Sequence, residues 1–120
     1  MACILIYSEE GLWATLIETI LSEPGIELAV ARNPEQLRRM TASRSYEVVI
    51  IVGVGLLRRG EGWLLRLRPY RLRPPEIYLV AWQHGEQTVL GMLECGVDQY
   101  MTLPLHPGRL RAKVMQALAE

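Results

Sequence analysis

The sequence predicts an α/β protein built on one doubly wound parallel sheet. Three observations lead there. Short apolar runs alternate five times with segments of helical periodicity. The central runs are apolar without interruption, as expected of parallel strands buried on both faces. The chain has 120 residues, 50% apolar and 22% charged, which is enough for a real core and ordinary for a globular domain. No linker, repeat or low-complexity stretch divides it, so residues 1–120 read as one domain.

The elements follow in order. Cys3 to Tyr7 is the first strand. Leu12, Leu16, Ile17, Ile20 and Leu21 recur at helical spacing, and Pro24-Gly25 stops that helix. Leu28 to Ala31 is a second, weaker strand. Asn33 suits an N-cap and Pro34 the first helical position, opening a helix through Leu37 and Met40. Val48 to Val52 is the central strand. Leu64, Leu65 and Leu67 predict a short third helix ending before Pro69. Pro74-Pro75 leads into a strand from Ile77 to Ala81. Thr88 to Glu94 is a fourth helix, with Gly96 as its C′ residue. Tyr100 to Thr102 is a short fifth strand, and Pro107 opens a last helix through Leu110, Val114, Met115 and Leu118. Alternating strands and helices imply right-handed parallel crossovers. Five such units fit the flavodoxin-like strand order 2-1-3-4-5, a (βα)5 fold.

Composition narrows the function. The formal charge is zero, which removes any general pull toward nucleic acid or anionic membrane. Direct nucleic-acid binding by this domain is therefore not expected. No apolar run approaches the length of a membrane span, and no signal-peptide pattern opens the chain. Cys3 and Cys95 read as reduced, buried thiols of a cytoplasmic protein. Neither His84 nor His106 has metal-ligand spacing around it, and Cys95 has no histidine partner for nucleophilic catalysis. No metal, cofactor or catalytic residue is assigned.

The motifs lie at the strand ends. An acidic turn, Ser8-Glu9-Glu10, follows the first strand. The fourth helix ends at Gly96-Val97-Asp98, and Tyr100-Met101-Thr102-Leu103-Pro104 reads like aspartate-tyrosine-x-x-lysine-proline with leucine in the lysine position. Through these residues the whole chain resembles a bacterial response-regulator receiver domain of the chemotaxis-receiver type, in an atypical form without the aspartate. The resemblance implies acids after strand one for Mg²⁺, an aspartate nucleophile after strand three, a hydroxyl after strand four and a lysine after strand five. A carboxylate attacks phosphorus only where metal and cation offset the developing charge. Here Ser8 takes the first acid's place, and Glu9 keeps the second beside Glu10. Val52, or Gly53 one residue on, stands at the nucleophile, Val80 at the hydroxyl and Leu103 at the lysine. Three aliphatics are expected to close the degenerate pocket. The resemblance also implies a cis Leu103-Pro104 bond in the turn after strand five.

Other readings stay open. Glu9 and Glu10 could hold a metal, or simply complement a helix dipole. The glycines between Gly53 and Gly62 suggest a tight loop, but Gly53-x-Gly55 lacks the rest of a phosphate-binding signature.

Two surfaces are candidates for contact. The resemblance gives the face of helix four, strand five and helix five an output and dimerisation role and matches Tyr100 to its coupling aromatic. Trp82, Tyr100 and Arg111 are expected in a homodimer or partner interface there, with Arg111 pairing across it with an acid such as Glu94 or Asp98. The second is the arginine-rich stretch around Trp63, Arg66 and Arg68, which reads either as a solvated helix face or as a docking surface.

The resulting expectation is a phosphorylation-independent, non-enzymatic pseudo-receiver in bacterial signalling or transcriptional regulation, alone or as the amino-terminal module of a longer chain. Its partner is another protein or a second copy. The alternatives are a small-molecule or nucleotide sensor at the strand-end crevice, or a phospho-accepting receiver using a displaced acid such as Glu61.

Overall fold

The computed structural model describes residues 2–58, 74–82, 85–94 and 96–119. In chain order the elements are β1 (Ala2–Tyr7), α1 (Gly11–Leu21), β2 (Ile26–Ala31), α2 (Pro34–Ser43) and β3 (Val48–Val52). A short α3 (Gly55–Arg58), β4 (Glu76–Ala81), α4 (Glu86–Glu94), β5 (Gln99–Thr102) and α5 (Pro107–Ala119) complete them. All strand pairs are parallel, in the order β2-β1-β3-β4-β5. This is the expected flavodoxin-like topology. The expected third helix through Leu64 to Leu67 lies outside the described residues, as do Trp63, Arg66, Arg68, Glu61, His84 and Cys95.

Strand alternation sorts the core into two layers. Cys3, Leu5, Tyr7, Val49, Ile51 and Leu79 face one way, with Leu37 of α2, Leu56 of α3 and Met92 of α4 packed on them. Ile4, Ile6, Val48, Ile50, Tyr78 and Val80 face the other, against Ile17 of α1 and Leu110 and Val114 of α5. The middle strands are therefore buried on both faces, which explains their unbroken apolar sequences. Excluding one such side chain from water contributes about 1.5–3 kcal/mol.

The helix boundaries have local causes. Asn33 is extended at φ −151°, and its side-chain oxygen accepts from the Gln36 amide at 2.9 Å, the N-cap expected from sequence. At the end of α4, Gly96 takes φ +112°, a conformation that side chains resist. Its amide donates to the Leu93 carbonyl, and the Val97 amide to that of Met92. The helix starts at Glu86, ahead of the expected Thr88. The exposed His106 uses its ring, with Nδ1 accepting from the Arg109 amide at 3.1 Å at the start of α5.

Cys3 is buried and free, as expected. Its sulfur lies 3.0 Å from Arg44 Nη2. Arg44 also pairs with Glu27 on β2, which holds the Glu27 carboxyl below the usual carboxylate range.

Candidate functional site: the strand-end cleft

A doubly wound sheet opens a crevice where its strand order reverses, outside the strand carboxyl ends. Here β1 lies between β2 and β3, with α1 and α2 on opposite faces, so the crevice falls at the ends of β1, β3 and β4. A cleft of about 170 Å³ sits there. Of the sequence-predicted residues, Ser8, Glu9, Glu10, Val52, Gly53 and Leu103 line it together.

The β1 rim is organised by Ser8, which is 1% exposed. Its hydroxyl donates to the Glu10 carbonyl at 2.6 Å, while the Glu10 amide lies 3.2 Å from the same oxygen. Ser8 thus folds the turn on itself instead of presenting a ligand. Glu9 and Glu10 are exposed at the mouth. Glu9 Oε1 accepts from the Tyr7 hydroxyl at 2.8 Å, which orients that carboxylate. Arg32 approaches from the end of β2, but it bonds the Glu9 carbonyl oxygen at 3.5 Å and not the carboxylate. Among the described residues, no group of three His, Cys, Asp or Glu side chains could hold a metal ion.

The floor is aliphatic. Val52 ends β3, and Gly53 follows at φ +90° with its amide donating to the Val80 carbonyl at 2.8 Å. That backbone turn favours glycine. Leu103 is 7% exposed, its amide held by the Ala81 carbonyl at 2.8 Å, and Leu103-Pro104 is cis as expected. The lining includes no aspartate and no lysine.

Three expectations need correction. Val80 does not reach the cleft. It pairs in register with Val52, but β4 runs one residue further, to Ala81. Val80 is thus fully buried in the α1–α5 layer, and Ala81 and Trp82 form the rim instead. Nor do the aliphatics close the pocket. Gly53 and Gly55 bring no side chains to fill it, and Trp82 stands 60% exposed at its edge.

The third correction concerns Arg111. Its Nη2 pairs with Glu23 at 2.7 Å and its Nη1 donates to the Ile20 carbonyl at 3.1 Å, tying α5 to the end of α1. It lies on the flank of α5 away from β5. Asp98, its suggested partner, instead accepts from the Ile77 amide at 2.8 Å. Helical spacing puts Arg109, Lys113 and Gln116 on the β5 flank. Lys113 and Gln116 line a shallow depression there with Gln99 of β5.

Trp82 and Tyr100 do come together. The Tyr100 hydroxyl donates to the Trp82 carbonyl at 2.8 Å. Leu90 and Leu93 of α4 are exposed in the same helical layer, on the α4 side of the sheet. Sequence reasoning missed three lining residues: Tyr7, Trp13 and Ala81. Tyr7 had a signal, as a phenol at the carboxyl end of an otherwise aliphatic strand. Trp13 had another, one turn after Glu10.

No protein-family model matches the chain. Solved structures do resemble it over nearly its whole length. A response regulator from Thermotoga maritima superimposes with a TM-score of 0.86 at 12% identity, covering 100% of this chain and 99% of the other. A two-component response regulator from Clostridium difficile gives a TM-score of 0.86 at 24% identity, covering 100% and 98%. An orphan response regulator from H. pylori gives 0.82 at 16% identity, covering 98% and 96%. At these identities the likeness establishes the fold: the chain has the receiver-like form of the flavodoxin-like sheet.

Proposed function

We propose that this chain is a phosphorylation-independent receiver-like module that acts through protein contact in bacterial signalling or transcriptional regulation. The carrying observation is the floor of the cleft. Val52, Gly53, Ala81 and Leu103 occupy it where phosphoryl chemistry would need a nucleophile, a hydroxyl and a cation. Without a cation to offset the developing charge, phosphoryl transfer to a carboxylate has no stabilised transition state. Glu9 and Glu10 are acids at the mouth, and a glutamate there has no lysine opposite it. In this reading the domain is non-enzymatic and works in the cytoplasm. No helix among the described residues is long and apolar enough to cross a membrane.

The contact surface in this reading is the α4–β5–α5 face, used for a second copy or a heterologous protein. Exposed Trp82, Leu90 and Leu93, with Tyr100 beneath Trp82, supply the aromatic and apolar anchors that interfaces favour. The charged rim on α5 is Arg109 and Lys113 in place of Arg111.

Incubation with acetyl phosphate and Mg²⁺ followed by intact mass tests the chemistry. The expected result is no phosphorylated species, and a stable phosphoryl adduct would refute it. Sedimentation of Tyr100→Ala against Arg66→Glu/Arg68→Glu tests the surface. Loss of association in the first variant alone supports the α4–β5–α5 face.

A further inference from the structure

We propose that the strand-end cleft is a receptor for a small organic cation, an alkylammonium or guanidinium group. The inference rests on reading the cleft as one that has lost its anion chemistry, and it goes on to say what the remaining side chains select.

The walls are aromatic. Trp13 and Trp82 line the cleft together with Tyr7. Aromatic faces attract cations electrostatically, tryptophan most strongly, and favour weakly hydrated organic cations. The mouth is anionic. Glu9 and Glu10 are both exposed there, and no described basic side chain forms an ion pair with either. Arg32 is engaged with the Glu9 carbonyl and lies over Gly11. The Tyr7 hydroxyl holds one oxygen of Glu9 and leaves the other for a ligand. The floor of Val52, Ala81 and Leu103 is apolar, which suits methyl or methylene groups and disfavours a hydrated ion.

Size and donor count exclude other occupants. The volume of about 170 Å³ is well below the ~300–1,000 Å³ of sites that hold nucleotide- or drug-sized ligands. It accommodates a trimethylammonium or guanidinium head. Among the described residues no third His, Cys, Asp or Glu joins Glu9 and Glu10 to make a metal site, and a divalent ion that keeps its hydration shell gains nothing from aromatic walls and an aliphatic floor. An anion would meet two carboxylates, and Arg32, the described cation that approaches the mouth, is turned to the Glu9 carbonyl.

The test is amide NMR titration of the intact chain with choline, with agmatine and with the uncharged carbon isostere of choline, at matched ionic strength. Saturable shifts at Tyr7 to Trp13 and at Trp82 are expected for both cations, each competing with the other, and not for the isostere. Glu10→Gln and Trp82→Leu alter exposed side chains and should keep the fold. Trp82→Leu should weaken binding about tenfold, and Glu10→Gln several-fold. A capped arginine amide and a trimethyllysine peptide identify the source. Binding as tight as agmatine or choline marks a partner's side chain, and exclusion of the peptides marks a free metabolite. Absence of saturable shifts, or equal binding of the isostere, overturns the proposal. Either result leaves the phosphorylation assay untouched, so the two readings fail separately.

Discussion

A carboxylate introduced at Val52 should damage this protein instead of activating it. Val52 is half-buried, ends β3, packs against the α1–α5 core and lines the cleft with Leu103 and the two glutamates. In Val52→Asp the core loses part of one aliphatic side chain, about 1 kcal/mol at partial burial. The new carboxylate adds about 1 kcal/mol more from partial desolvation without a cationic partner. The total of about 2 kcal/mol lowers the melting temperature by roughly 6–12 °C for a chain of this size. The loss should depend on pH in a definite sense. Desolvation and two nearby acids raise the folded pKa of the introduced carboxyl above its unfolded value of ~3.9. The deficit against wild type is then smallest below ~3.9, where the group is neutral in both states, and grows as pH rises through the folded pKa. Adding Leu103→Lys should recover part of it, because both positions line the same cleft. Thermal melts of the wild type, single and double variants from pH 3 to pH 8 read all of this. An unchanged melting temperature, a deficit that shrinks with rising pH, or phosphorylation of the single variant would refute the reasoning.

Arg111→Glu should act on the monomer, lowering its melting temperature by a few degrees through loss of the Ile20 and Glu23 contacts while leaving sedimentation unchanged. Tyr100→Phe removes the bond to the Trp82 carbonyl and should cost about 0.5–1.5 kcal/mol, with a change in tryptophan emission as the β4–α4 turn loosens. Asn33→Ala deletes the N-cap of α2 and should cost about 1 kcal/mol, read by chemical denaturation with an unchanged m-value.

The fold was legible because its cause is periodic. Runs such as Val48 to Val52 can be apolar at every position only when both sheet faces are covered, and that requires crossover helices. The caps at Asn33 and Gly96 were legible for the same reason, since each local geometry admits few residue types. Edges were less so. Ile26 and Glu27 belong to β2 although Glu27 breaks the apolar pattern, because on an edge strand a charged side chain can point to solvent and pair with Arg44.

The site was legible as a location and misread in its detail. Placing Val80 at the hydroxyl position puts that group level with Val52, as though the two strands ended together. They do not: β4 passes β3 by one residue, and in a strand one residue exchanges one face for the other. The same sensitivity misplaced Arg111, since one step along a helix turns a side chain by roughly 100° and decides whether α5 offers it to β5 or to α1. Sequence resemblance fixes which loop a residue occupies, while the direction of its side chain depends on strand length and helix phase. That difference bears on function here. With Val80 withdrawn into the core, the rim is Ala81 and Trp82, and Trp82 is also the residue whose carbonyl Tyr100 holds. One short segment therefore joins the cleft to the α4 side of the sheet. A cation seated against Trp82 would draw on the same turn that Tyr100 fixes, so the cleft and the proposed contact face share an element through which occupancy of one can bias the other.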